Sequence, residues 1–308
     1  MNYEYFLQIA LAKGVGDVTI RRILDFFSEN NVSWDSLCSD KTMQKFIFRN
    51  KFEIIENIAL AQGNAKRISD ELNNNNVKIV FYNDDIFPVK LRHSLGKKCP
   101  PFLFYKGNID LINKEAVGFC GSRKVSSKGM AIAHNCAYQL AKNKVVVVSG
   151  YATGADLAAH EAALINSGET VFVLAEGILT SRIKKEVQKY LNTENHVFIS
   201  QFMPESTWNV GNAMKRNSVI IGLSNAMILI ESGNSGGTFA AGKEALSLEH
   251  PLFVIDFAQP EVSAEANPYF ISQGGIPIRG KNGMPNLDKV FSVIEDNLHQ
   301  YRKTELTN

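Results

Sequence analysis

From residue 77 onward one alternation repeats along the chain and limits its architecture more than any other feature. Short apolar, largely β-branched runs alternate with stretches whose apolar residues recur at helical spacing. The runs are "VKIVF" (77–81), "FLFY" (102–105), "AVGFC" (116–120), "VVVVS" (145–149), "VFVLA" (171–175), "VFIS" (197–200), "AMILI" (226–230) and "LFVID" (252–256). Helical patterns fall between them at about 128–143, 154–167, 181–191, 212–223 and 237–248. From 116 onward the runs are almost continuously apolar, as strands covered on both faces must be. Strand–helix alternation of this kind predicts βαβ units and an α/β fold with a doubly wound, mostly parallel, Rossmann-like sheet.

The first 76 residues read differently. Apolar positions recur at helical spacing in "YEYFLQIALA" and "TIRRILDFF", with "KGVGDV" as the turn between them, and "NNNN" (73–76) marks a boundary. The expected organisation is a small all-helical domain over 1–76, an α/β domain over 77–300 with a last helix at about 286–303, and a polar tail over 301–308. No internal repeat is visible.

Composition narrows the function classes. A net charge of +2 argues against a protein that grips nucleic acid through bulk charge, though not against a local basic pocket. No apolar run reaches the ~18 residues of a membrane span. "MNYEYFLQIALAKG" lacks the basic start of a signal peptide. Cys38, Cys99, Cys120 and Cys136 are widely spaced, which suits reduced thiols in a cytoplasmic protein without a metal centre.

In a parallel sheet the segments following the strands carry the ligand chemistry. After 116–120 comes "GSRKVSSKG", where Gly121, Ser122, Arg123, Ser126 and Ser127 suit an anion; a solvated loop with a serine cap is the other reading. After 145–149 comes "GYATGADLAAHEAAL". Asp156 and His160 share a helical face and are either an acid–base pair or a cap and a packed imidazole. The second is preferred, because no nucleophile elbow accompanies them. In "EGILTSRIKKEVQKYL" Arg182, Lys185 and Lys189 make a basic helical stripe with Lys184 beside it, either a solvated face or a phosphate contact. "ESGNSGGTFAAGKEAL" leads a Gly-rich loop into a helix, so Ser235, Gly236, Gly237 and Thr238 either cradle a phosphate or make a tight turn. It is neither a Walker A loop nor GxGxxG. Lys215, Arg216 and Asn217 are expected to open the helix before 226–230, where basic residues oppose the helix dipole unless an anion binds.

Taken together these motifs resemble the DNA-processing protein A (DprA/Smf) family, from about Phe87 to Ile278. The matching stretches run in order: "FP" (87–88), "PPFLFYKGN", "GSRKVSSKG", "VVSGYATGADLAAHEAAL", "GETVFVLAEGI", "RNSVIIGLS", "SGGTFAAGKEAL" and "NPYFISQGG". The resemblance implies an extended Rossmann-like domain of the SLOG superfamily behind a small SAM-like or helix-hairpin-helix-like domain, which "LAKGVGDVTIRRILDFF" resembles. It implies a cytoplasmic, non-enzymatic protein without cofactor or metal that binds single-stranded DNA, protects it and helps load the RecA recombinase in natural transformation. It also implies a homodimer. The implied DNA- or phosphate-binding residues are Gly121, Ser122, Arg123, Lys184, Lys185, Lys215, Arg216, Asn217, Ser235, Gly236, Gly237 and Thr238. Tyr151 is a candidate to stack on a base.

The chain departs from the family pattern at the expected pocket. Ser218 stands where the family has a second arginine, Ala213 and Met214 where it has an aromatic–proline pair, and the Tyr-Pro of the third glycine loop is missing. A SLOG-type sensor of a small nucleotide is therefore the alternative, followed by a nucleotide phosphoribohydrolase. Against the latter, Ala241 occupies the place of the glutamate in a PGGxGTxxE loop, and Glu244 lies three residues further on.

Overall fold

The computed structural model describes residues 3–49, 51–281 and 283–305, the last nine by backbone alone. Five helices come first: α1 (Glu4–Ala10), α2 (Asp17–Asn30), α3 (Trp34–Ser39), α4 (Lys41–Ile47) and α5 (Phe52–Asn74). The remainder runs β1 (Lys78–Phe81), α6 (Val89–Leu95), β2 (Phe102–Gly107), β3 (Ala116–Cys120), α7 (Ser127–Lys142), β4 (Val146–Ser149), α8 (Ala155–Ile165), β5 (Thr170–Val173), α9 (Lys185–Gln188) and β6 (His196–Ser200). It continues with α10 (Val210–Leu223), β7 (Ala226–Leu229), α11 (Gly237–Ser247), β8 (Leu252–Ile255), α12 (Asn267–Ser272), β9 (Ile276–Ile278), β10 (Gly280–Lys281), β11 (Met284–Pro285) and α13 (Asp288–Glu305).

Nine strands form one sheet in the order β1-β2-β6-β5-β4-β3-β7-β8-β9. The stretch from β6 to β9 is parallel throughout, while β2 runs antiparallel to both β6 and β1. This is the expected doubly wound α/β sheet. Alternation along each strand divides its side chains between two cores. Val146, Val148, Met227, Leu229, Leu252 and Val254 meet α6, α10, α11 and α12 on one face. Val117, Phe119, Val147, Ile228 and Phe253 meet α7, α8 and α13 on the other.

The N-terminal helices are fused to the sheet rather than strung beside it. One core joins Phe6, Leu7 and Ile9 of α1 to Phe102 and Phe104 of β2, Phe172 of β5 and Phe198 of β6. Phe6 is its hub, edge-on to Trp34, Phe81 and Phe102 at 5.0–5.1 Å between ring centroids.

Helices α6 and α12 and the short pair β10–β11 were not among the expected elements, and three further segments differ from expectation. Of the helix expected at 181–191 only Lys185–Gln188 forms, so Arg182, Lys185 and Lys189 make no continuous helical stripe. The reason is a tertiary contact: the Tyr151 hydroxyl accepts the Lys184 backbone N–H at 2.5 Å and holds Lys184 extended. Strand β9, pairing with β8 through "IPI", was not anticipated, because it is three residues long, two of them only partly covered and one of those a proline. Helix α13 continues to Glu305, into the expected polar tail, and 306–308 lie outside the described residues.

Candidate functional site

The sheet reverses its winding at β3. The chain leaves β3 toward β4, β5 and β6 on one side, and β7, β8 and β9 build up on the other. At such a switch point neighbouring loops diverge and leave a crevice at the carboxyl ends of the strands. Here the crevice is a cleft of about 420 Å³. It is walled by the loop after β3, the loop between β7 and α11, and one face of α10.

Nine of the twelve expected residues line it: Gly121, Ser122, Arg123, Arg216, Asn217, Ser235, Gly236, Gly237 and Thr238. Lys184 lies in an adjoining cavity of about 300 Å³, which shares Arg123, Ala152, Trp208 and Arg216 with the first. The other two lie elsewhere. Lys185 is exposed at the start of α9, outside both cavities. Lys215 borders a separate hollow between the start of α2 and residues 201–206. On α10 the cleft stripe is Val210, Ala213, Met214 and Asn217, and at about 100° per residue Lys215 falls roughly on the opposite side.

Arg216 does not open a helix as expected. Helix α10 starts six residues earlier, capped by the Asn209 side chain on the Asn212 N–H at 2.8 Å, so the basic pair sits in its second turn and opposes no dipole. Arg216 is 7% exposed and faces Asp156, also buried, at 3.9 Å. Its guanidinium fills the space where residue 150 would carry a side chain: a Cβ on Gly150 would overlap Nη1. Burial lowers the Arg216 pKa and raises that of Asp156, and each charge partly offsets the penalty on the other. Arg216 is thus a buried part of the floor with Asp156 as its counter-charge. Arg123, by contrast, is exposed.

The opposite wall is main chain. Gly236 caps α11 at φ +91°, a conformation that excludes most side chains, and no side chain caps this helix among the described residues. A Cβ on Gly237 would meet nothing within 4 Å, so packing does not demand glycine there and the backbone is open on that side. First-turn N–H groups lack partners inside their own helix, and the dipole favours negative charge beside them. Asn217 steadies the loop by donating to the Gly237 carbonyl at 3.3 Å. The Ser218 hydroxyl, one residue on, donates to the Glu244 carboxylate. Glu244 is therefore engaged away from the cleft, while Ala241 lines it.

Three polar or aromatic candidates have structural roles. His160 is fully buried. Its Nδ1 meets Thr170 Oγ1 at 2.6 Å, its ring lies 4.2 Å from that of Phe172, and burial pushes its pKa down to about 3. It is turned into the core and makes no acid–base pair with Asp156. Ser126 caps α7 through the Gly129 N–H and donates to Glu231. Tyr151, the candidate for base stacking, is 7% exposed and packs against Phe172 at 4.8 Å and Phe198 at 5.6 Å. Lys184 folds onto it, its Nζ 2.5 Å from the Tyr151 carbonyl and 4.4 Å from the ring centre. Partial burial lowers the Lys184 pKa.

One residue at the cleft was not foreseen. Trp208 stands at the junction of the two cavities, 45% exposed, with the Arg123 guanidinium 5.2 Å from its ring. The only signal for it in the sequence is an isolated aromatic in the polar stretch "PESTWN" between a strand and a helix.

A family model described as DNA recombination-mediator protein A matches residues 78–282. The DNA processing protein DprA of Streptococcus pneumoniae is 32% identical over 174 residues, 56% of this chain and 60% of that protein. That of Bacillus subtilis is 26% identical over 159 residues, 51% and 53% of the two chains. Protein Smf of Synechocystis is 25% identical over 258 residues, 81% and 63%. The matches thus span between half and two thirds of these curated relatives. Among solved structures, the Streptococcus pneumoniae DprA superposes with a TM-score of 0.72 at 24% identity, covering 91% of this chain and 94% of that one. The Helicobacter pylori protein, described by its single-stranded DNA binding mode, superposes with a TM-score of 0.58 at 21% identity, covering 72% and 97%. Both share the fold.

Proposed function

This chain belongs to the DNA recombination-mediator protein A family, and on that premise we propose that it binds single-stranded DNA in the cleft at the β3 switch point and acts by holding the strand, not by cutting it. The observation that carries this reading is a convergence. An exposed arginine, a Gly-rich helix start with uncapped N–H groups and a hydroxyl-bearing loop face one another across about 420 Å³. That donor set suits a phosphodiester, which needs several hydrogen-bond donors and positive potential but no covalent partner. The phosphate contacts are assigned to Ser122, Arg123, Ser235, Gly236, Gly237 and Thr238, with Gly121, Arg216 and Asn217 shaping the floor and Lys184 serving the adjoining cavity. Lys185 and Lys215 stand outside this first contact set.

The non-enzymatic part of the proposal draws support from three placements: His160 faces the core, Glu244 is engaged by Ser218, and Ala241 occupies the cleft wall. The wider role follows the family: protection of single strands, delivery to RecA, and action as a homodimer in the cytoplasm. The four cysteines are free thiols, which agrees with a reducing compartment. Among the described residues no helix is long and apolar enough to cross a membrane.

The test is fluorescence anisotropy of a labelled oligo-dT strand across a salt series, with wild type and Arg123→Ala. Affinity should fall with salt at a slope of about −0.7 per neutralised phosphate, and the variant should lose about one such unit. Undetectable binding at low salt, or binding indifferent to Arg123, rejects the proposal. Thermal stabilisation by a mononucleotide at concentrations where DNA has no effect would replace it with a small-nucleotide sensor.

A further inference from the structure

The cleft has a wall that phosphate binding does not explain. Trp208, Val210 and Met214 are 45%, 64% and 38% exposed, and all three line the cleft together with the glycine loop. Concave apolar surface left open to water marks a binding site more often than a folding need. One side of the cleft is thus aromatic and aliphatic, and the other is backbone N–H. A nucleotide has the same two-sidedness, with a flat apolar base at one end and a charged phosphate at the other. We infer that Trp208, backed by Val210 and Met214, is a base-stacking subsite that takes one base of the bound strand while the adjoining phosphate faces Arg123 and Gly236–Thr238. This subsite rests on the reading of the cleft as a single-strand site.

The indole is held where it stands. Its loop is fastened by the Ser206 carbonyl, which accepts from the Gly177 N–H at 2.7 Å and the Thr180 hydroxyl at 3.2 Å. Glu205 takes a two-pronged contact from Arg67 of α5 at 2.7 and 2.8 Å. On the other side Asn209 caps α10. These bonds fix the chain on either side of Trp208. Arg123 over the ring orients it by cation–π attraction and keeps a cation within one nucleotide of it. Tyr151 does not compete for the role, because the core holds it. Stacking would make the site tolerant of base identity but dependent on a base being present.

The experiment compares two labelled strands of equal length, oligo-dT and an abasic analogue with the same phosphates, binding to wild type, Trp208→Ala and Trp208→Phe at one salt concentration. Wild type should prefer oligo-dT by about 10-fold or more. Trp208→Ala should bind both strands alike, near the wild-type affinity for the abasic strand, with an unchanged salt slope. Trp208→Phe should keep most of the preference. Trp208 fluorescence should quench on adding oligo-dT and not the abasic strand; Trp34, packed against Phe6 and Phe27, supplies a constant background. If wild type binds both strands equally, or Trp208→Ala keeps the preference, stacking is overturned and DNA binding stands. If wild type binds neither strand, the DNA reading and the stacking subsite fall together.

Discussion

Arg123 and Arg216 enter the same cleft and do opposite work. Arg216 lies in the floor, wedged into the space that Gly150 leaves, with the buried Asp156 carboxylate 3.9 Å away as its counter-charge. Arg123 stands at the rim, exposed, with an aromatic ring rather than a carboxylate beside it. One arginine shapes the site and the other is left to meet a ligand. A count of cations in the sequence treats them alike; desolvation separates them, because a buried charge must be matched from within while an exposed one is free for an incoming anion.

The largest effect that would test this contrast is on folding. Arg216→Ala leaves Asp156 buried without its partner and should cost about 3–5 kcal/mol in urea unfolding, whereas Arg123→Ala should stay within about 0.5 kcal/mol of wild type. Equal losses would erase the distinction. Next comes pH. His160, beneath the same floor, is held down to about 3, and His250, at the far end of the sheet, to about 4, both chiefly by burial. Below their ordinary value near 6.5 the unfolded chain takes up protons that the folded chain refuses. Stability present at neutral pH is then lost as pH falls from about 6.5 toward 4, at about 1.4 kcal/mol per proton per pH unit. His160→Phe should flatten this slope by about one proton, measured by unfolding at several pH values, while Arg123→Ala should not alter it.

Smaller effects concern the rim. Arg123→Ala should weaken oligo-dT binding by about 10-fold or more, the scale of a hydrogen bond to a charged group, in the anisotropy titration. The smallest change in stability is expected at the glycine wall. Gly237→Ala puts a methyl group into open space at ordinary backbone angles, so its unfolding midpoint should hold or rise slightly. Its oligo-dT affinity should fall, because that methyl stands where the phosphate approaches. Gly236→Ala, at φ +91°, should instead destabilise by about 1 kcal/mol. If Gly237→Ala binds as wild type does, the phosphate does not sit at this helix start.

Much of this was legible residue by residue. Strand β3 falls on the expected 116–120, and β4, β5, β7 and β8 lie within two residues of their expected ends, because strands buried on both faces leave an unbroken apolar trace. The loops after β3 and β7, expected to carry ligand chemistry, line one cleft, since parallel strands put those loops on one rim. Lys215 borders a different hollow because its neighbour's burial sets the rotation of α10, and a run of basic residues does not encode that rotation. Tyr151 was misread because its partners, Phe172 and Phe198, come from strands 20 to 50 residues away. Trp208 escaped notice because a loop residue acquires meaning only from the surface onto which it opens.

What the chain determines locally is periodicity, and periodicity is enough for a parallel sheet, its switch point and the glycine that starts α11. Each of these rests on short-range sterics and on the burial of a repeating apolar face. The tertiary structure alone decides which arginine is matched by Asp156, which aromatic is packed away and which is left at the mouth. Those outcomes depend on desolvation by residues distant in sequence, and no local pattern carries that information.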